Sequence, residues 1–350
     1  MTDFRSDNTC GIHPAVMDAI QKANTGTDSS YGADGYSVEL KKRLSDLFEK
    51  EVSIWLTNTG TAANSLALSS LVKPFQSVIC HQNSHINTDE CAAPEFFTSG
   101  ARLYAVKGEN GKMDLSQLQH YLNHTKDLRP HTSIPVCISV TQATECGTVY
   151  SLNELQKIAE FAKKNALSIH MDGARFANAL TTLQCTPAEM TWKSGVDVLS
   201  LGGTKNGAMM AEVIVFFNQN LTTDFDFRHK RAGQLMSKMR FMACQWLALL
   251  ENNLWINNAL QANNRAKKLA DIFQKYQFTL PWPVESNAVF VSLPKNIADA
   301  LIADNIQFYD WHSDISPLYR FVTSCFTTEA DLQSLEKSLD RMVISYDGLH

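Results

Sequence analysis

Asp172 ends an apolar run over residues 167–172 and opens the turn Asp172-Gly173-Ala174-Arg175. Lys205 follows a second apolar run, 196–201, and sits in Gly202-Gly203-Thr204-Lys205-Asn206-Gly207. Their separation, roughly 30 residues, is that of one strand–helix–strand unit. If the two runs are parallel neighbours, both side chains arrive at the same edge of a sheet, where α/β proteins place ligands. A carboxylate facing an amine across a small cavity suits pyridoxal phosphate. The amine condenses with the cofactor's aldehyde and the acid keeps the ring nitrogen protonated. Taken singly, Asp172 also reads as a helix N-cap and Lys205 as a solvated loop residue.

Further residues supply what such a pair needs. Gly60-Thr61 stands where the apolar run 52–56 hands over to an Ala- and Leu-rich helix, so exposed amides and a hydroxyl form a seat for phosphate. Neither a Gly-x-x-x-x-Gly-Lys-Ser/Thr loop nor a Gly-x-Gly-x-x-Gly fingerprint occurs, which counts against nucleotide and dinucleotide enzymes. His85, shortly after the run 77–80, can stack on a pyridine ring and exchange a proton. Asp89 and Glu90 just beyond it read as solvated. Glu145, after the run 135–140, is a candidate general base, directly or through a water, with a local loop carboxylate as the alternative. Arg175 and Arg320 are the best receivers for a carboxylate, which arginine grips through two parallel hydrogen bonds.

The elements that must position these residues alternate. Strand-like runs fall at 52–56, 77–80, 101–106, 135–140, 167–171, 196–201 and 213–217, with periodic helical stretches between them, such as 36–50 and 153–165. The pattern predicts a mostly parallel seven-stranded sheet covered by helices. From about residue 238 the character changes to a long helix carrying Leu269, Ile272, Phe273 and Tyr276, then strands at 288–293 and 321–323. A final helix over about 329–342 follows, with Thr328 and Asp331 forming its capping signal. The expected division is a large domain, 1–245, and a small α+β domain, 246–350.

Bulk properties exclude several classes. A net charge of −5 and a pI near 6.1 leave no basic footprint for nucleic acid. No apolar run is long enough to span a bilayer, and the first residues lack the apolar core of a signal peptide, so the cytoplasm is expected. The cysteines and histidines show neither Cys-x-x-Cys nor metal-ligand spacing, so neither a disulfide scaffold nor a metal site is expected.

Seven ordered motifs carry a resemblance over nearly the whole chain: Phe4-Arg5-Ser6-Asp7-Asn8, Ser30-Tyr31-Gly32-Ala33-Asp34, Asn58-Thr59-Gly60-Thr61-Ala62-Ala63-Asn64, Ser84-His85, His170-Met171-Asp172-Gly173-Ala174-Arg175, Gly203-Thr204-Lys205, and Arg320-Phe321-Val322-Thr323. Together they resemble the threonine aldolase and aromatic amino acid β-eliminating lyase family, and within it the low-specificity L-threonine and phenylserine aldolases. The resemblance implies the fold-type I architecture of pyridoxal phosphate enzymes. Lys205 would bond the cofactor and Asp172 would pair with its ring nitrogen. His85 would lie on the ring, with Gly60, Thr61 and Thr204 around the phosphate. Ser6, Arg175 and Arg320 would receive the substrate carboxylate, Arg175 being also within reach of the cofactor. Tyr31 would stand near the site at a subunit interface in a homodimer or homotetramer, and Lys230 or Arg231 of a neighbouring subunit would add charge to the phosphate. The implied reaction splits L-threonine, L-allo-threonine or phenylserine into glycine and an aldehyde. Many threonine aldolases carry a histidine where Glu145 stands here, so His85 and Glu145 acting through water both remain candidates for the base. The alternatives are a β-eliminating lyase on the same fold and a catalytically silent regulatory protein; retention of Lys205, Asp172 and both arginines argues against the latter.

Overall fold

The computed structural model describes residues 1–311, 315 and 317–347. After a short strand β1 (Thr2–Asp3), seven strands build one sheet: β2 (Ser53–Thr57), β3 (Gln76–His81), β4 (Arg102–Val106), β5 (Ile134–Thr141), β6 (Ser168–Gly173), β7 (Val198–Gly202) and β8 (Glu212–Phe216). Their order is β2-β8-β7-β6-β5-β3-β4. The pairs from β4 through β7 are parallel, while β8 is antiparallel to both its neighbours, so it alone runs against the rest. The mostly parallel seven-stranded sheet expected from the alternating runs is therefore present.

All five residues of β7 and of β8 are buried. Val198, Ile214 and Phe216 pack with Ala63, Leu66 and Ala67 of the helix Gly60–Leu71. Leu199, Leu201, Val213 and Val215 join the main core instead. Both faces of these strands are thus apolar, which is why they read as continuous runs without alternation. The covering helices begin where short polar side chains satisfy their free amides. Asp34 accepts the amide of Ser37 at 2.8 Å, and Ser151 forms a reciprocal cap with Glu154.

The smaller lobe contains β9 (Ala288–Val291), β10 (Ile306–Gln307), β11 (Tyr309–Asp310) and β12 (Tyr319–Val322), with β11-β12-β9 antiparallel. Thr328 and Asp331 cap the terminal helix as the sequence predicts. Two features depart from the expected boundary at 245/246. Met242, Trp246 and Leu249 pack in the larger core, as do Trp255 and Ala259 from the first half of the helix Leu254–Lys275. Its second half, with Ala266, Leu269 and Phe273, packs in the smaller core. The chain's start also belongs to the small lobe: β1 pairs in parallel with β10, and Phe4 is wholly buried beside Phe273 and Phe321. A single apolar residue between charged neighbours carries too little pattern to reveal that docking. Its consequence is direct, because the next residues, Ser6 and Asp7, are delivered to the cleft.

Candidate active site

The C-terminal ends of β5, β6 and β7 stand in register, with Thr141 opposite Asp172 and Asp172 opposite Ser200. At this edge a cavity of about 650 Å³ opens between the sheet and the small lobe. The predicted site residues line it, except Tyr31, Lys230 and Arg231.

Asp172 is buried at 3 % exposure, with Oδ2 accepting the Asn64 amide at 2.9 Å and Oδ1 accepting the Ala174 N–H at 3.0 Å. Lys205 lies in a tight turn just beyond β7. Gly203 permits that turn: a Cβ there would stand 2.5 Å from the Ala211 carbonyl oxygen and 3.0 Å from Trp246. Glu212 fixes it further, accepting the amides of Gly203 at 3.0 Å and Thr204 at 3.2 Å. Lys205 makes no hydrogen bond or ion pair among the described residues. Desolvation, and then the charge of Arg175, lower its pKa, which favours the neutral, nucleophilic amine. Burial pushes the Glu212 carboxyl up to about 7.

His85 opens a one-turn helix, His85–Thr88, which brings Glu90 back beneath it. Glu90 was expected to be solvated; its side chain is instead wholly buried and accepts from His85 Nδ1 at 2.8 Å. Glu90 Oε1 also receives the Asn64 amide at 2.8 Å, so Asn64 Nδ2 ties the carboxylates of Glu90 and Asp172 together. The bond to Glu90 raises the His85 pKa, and burial raises that of Glu90. The only sequence signal for this pairing is the five-residue step from His85 to Glu90, which a solvated acid would match equally well.

Glu145 approaches from the loop after β5. Its Oε1 accepts the His85 backbone N–H at 2.7 Å, while Oε2 is buried without a partner. Desolvation, then the charge of Asp172, push its pKa up to about 7. A folded pKa above the unfolded one makes its contribution to stability complete below the ordinary carboxyl value of 4.5 and lost as pH rises through about 7. Glu145→Gln, which retains an acceptor for the His85 amide, should therefore narrow the stability difference between pH 5 and pH 8 by about 2 kcal/mol. Denaturant unfolding of the cofactor-free protein at the two pH values checks this. An unchanged difference would mean that Glu145 titrates normally.

Three anion seats surround these groups. Gly60 and Thr61 begin a 12-residue helix whose N-cap, Thr59, accepts the Ala62 amide at 3.1 Å, leaving the first amides of the helix available to an anion. Arg175 is largely committed elsewhere: its Nε and Nη2 donate to Asp7 Oδ2 and Oδ1 at 2.8 and 2.9 Å. Although burial opposes both charges, the pair holds Asp7 below and Arg175 above their usual ranges. The reading of Arg175 as a second open carboxylate receiver is thus narrowed to its remaining Nη1. Arg320 is the freer guanidinium. Its Nε is buried without a partner, its Nη2 reaches only the Arg5 carbonyl, at 3.4 Å, among the described residues, and its planar group lies 4.7 Å from the Trp311 ring. Desolvation and the charge of Arg175 lower its pKa to about 10, where it is still cationic at neutral pH. Ser6 lines the same cavity and accepts the Asn8 amide at 3.1 Å.

Tyr31 lies outside the cavity, 52 % exposed, with Lys230 Nζ 5.1 Å from its ring. Lys230 and Arg231 are both exposed. The sequence reading gave no role to Asp7, Asn64, Glu90 or Glu212, each of which holds a predicted residue in place.

A family described as beta-eliminating lyase matches residues 3–296. A low specificity L-threonine aldolase of Pseudomonas sp. (strain NCIMB 10558) is 42 % identical over 350 residues, covering 99 % of this chain and 100 % of that protein. One from Pseudomonas aeruginosa is 43 % identical, covering 88 % and 90 %. The threonine aldolase structure from Leishmania major superposes with a TM-score of 0.92 at 26 % identity, covering 98 % of this chain and 100 % of that one. A structure described as a putative kynurenine aminotransferase from Saccharomyces cerevisiae, at TM-score 0.74 and 15 % identity, shares the fold alone; it covers 97 % of this chain and 90 % of that one.

Proposed function

The chain belongs to the beta-eliminating lyase family, and from that premise we propose that it is a pyridoxal phosphate-dependent aldolase converting L-threonine and related L-3-hydroxy-α-amino acids to glycine and an aldehyde. The observation that carries the reading is the Lys205–Asp172 pair: an unpartnered amine and a buried carboxylate at the ends of adjacent parallel strands. The donor set fits the cofactor at three of its polar groups. Asp172 suits a protonated ring nitrogen, Lys205 an aldehyde, and Gly60, Thr61 and Thr204 a phosphate. When bound, pyridoxal phosphate supplies an electron sink for the pair released as the Cα–Cβ bond breaks.

This chain's own residues do the rest. Arg320, with Ser6 beside it in the cavity and the remaining Nη1 of Arg175, holds the substrate carboxylate and so fixes the orientation of the bond to be broken. His85 is assigned the removal of the β-hydroxyl proton: Glu90 occupies Nδ1, which leaves Nε2 as the basic nitrogen. Glu145, whose pKa is about 7, can hold or release a proton at its unpartnered Oε2 near neutral pH. Asp7 keeps Arg175 in place, and the Asn64 amide keeps Asp172 and Glu90 from moving independently.

The pairing predicts a further result. Glu90→Gln should lower the His85 pKa by about one unit through loss of the charged acceptor. Histidine NMR titration of the cofactor-free protein reads this directly, and a pKa unmoved by the substitution would remove Glu90 from the account.

The activity itself is tested by incubating the cofactor-loaded protein with L-threonine, L-allo-threonine and L-serine. Glycine and acetaldehyde from the threonines support the aldolase. Pyruvate and ammonia from serine, without glycine from threonine, would establish the β-elimination suggested by the family's description. The chain is further proposed to act in the cytoplasm as a homodimer or homotetramer, with Tyr31, Lys230 and Arg231 on the surface that a second copy covers; among the described residues no helix is long and apolar enough to cross a membrane.

A further inference from the structure

A second cavity, of about 880 Å³, lies against the first, and the two share Asp89, Tyr309 and Trp311 as lining. Its walls differ sharply in character. One side is aromatic: Trp282, Tyr309 and Trp311, with Trp282 and Trp311 both set edge-on to the buried ring of Phe290 at 4.8 and 5.3 Å between centroids. The rest carries the carboxylates of Asp89, Glu109 and Asp310, and no lysine or arginine lines it among the described residues.

The shared wall is also the support of Arg320. Its guanidinium is 4.7 Å from the Trp311 ring and 5.4 Å from that of Tyr309, and Arg320 pairs with Tyr309 across β11 and β12. A substrate anchored by its carboxylate on Arg320 is therefore held beside the wall that the two cavities share. A methyl β-substituent does not need the second space. A ring does, and it meets aromatic faces and edges there.

We propose that this second cavity is the β-substituent subsite, taking an aryl ring that is neutral or cationic and rejecting one that is anionic. The inference rests on the aldolase reading and deepens it by naming which 3-hydroxy amino acids the site prefers. Aromatic packing supplies the affinity for the ring. The three carboxylates supply the discrimination, since a further carboxylate placed among them is repelled while Arg320, at the shared wall, is engaged by the substrate's own carboxylate.

The test compares kcat/KM for L-phenylserine, 4-carboxy-L-phenylserine and 4-aminomethyl-L-phenylserine, each divided by the value for L-threonine on the same preparation. In the unmodified protein the carboxy compound should rank below phenylserine by about tenfold, and the aminomethyl compound should rank at or above it. Trp282→Ala should lower the phenylserine-to-threonine ratio by about tenfold. Asp310→Lys, a change on an exposed strand, should raise the relative rate for the carboxy compound and lower it for the aminomethyl one. Because Trp282 packs on Phe290, the Asp310 variant carries the test should the tryptophan variant fold poorly. If threonine is cleaved but the charge order is absent and Asp310→Lys leaves all the ratios unchanged, the subsite is wrong and the aldolase assignment stands. If threonine is not cleaved at all, it is the aldolase assignment that fails.

Discussion

Lys205→Ala is expected to lower glycine formation from L-threonine by at least about a thousandfold, because it removes the only lysine amine that lines the cavity among the described residues. The expectation follows from the surroundings of the side chain rather than from its identity alone. Lys205 lines the cavity without a hydrogen bond or ion pair, and desolvation and Arg175 lower its pKa. An amine spared the need to shed a strong partner or a tightly held proton is ready to attack an aldehyde. Among the described residues no other lysine lines the cavity, so a substitute amine would have to come from outside it. Two measurements separate chemistry from folding. Addition of pyridoxal phosphate followed by borohydride should label the unmodified protein at Lys205 and leave the alanine variant unlabelled. The thermal midpoint of the cofactor-free variant should stay close to that of the parent, since removal of an amine from a low-dielectric site relieves a desolvation cost. Full turnover by Lys205→Ala would remove the central assignment.

The sequence made this residue visible because its signal is local. A glycine-rich turn after a continuous apolar run predicts a strand that ends abruptly at a sheet edge, and β7 does so at Gly202. The same holds for Asp172 at the end of β6 and for Gly60 at the start of its helix. These residues are placed by period, length and punctuation, which are properties of short windows. The residues that hold them are not. Asp7 reaches Arg175 across 168 positions, Asn287 reaches Asp7 across 280, and Asn64 reaches Asp172 across 108. Such contacts exist only once the sheet order is set, and nothing in a window around Asp7 distinguishes an acid that clamps an arginine from one in water. Glu90 shows the same limit at short range: its five-residue offset from His85 is local, but its burial is decided by the helix Gly60–Leu71, whose Asn64 supplies the second bond to its carboxylate. The large-lobe strands were therefore readable, whereas the docking of the first residues on the small lobe and the commitment of Arg175 to Asp7 were not.

Asp172→Asn should leave the fold and the binding of cofactor to Lys205 in place and lower kcat for L-threonine by about 10² to 10³, with a smaller change in KM. The substitution preserves the shape of the side chain and one oxygen acceptor while removing the charge. A residue serving only as a cap for the Ala174 amide would cost stability and little rate. A residue whose charge sustains the electron sink costs rate and little stability. The electrostatics of its neighbours provide a second, independent reading. Asp172's charge raises the pKa of both Glu145 and His85, so both should titrate lower in the asparagine variant. The effect should appear as a downward shift of the acidic limb of the pH–rate profile and of the His85 titration in the cofactor-free protein. An unchanged kcat with an unchanged profile would reduce Asp172 to a cap. A reduced kcat with unmoved pKa values would place the loss in altered geometry instead. Only a fall in kcat together with both downward shifts assigns the role to the charge itself, the one property that the substitution removes while leaving the outline of the side chain intact.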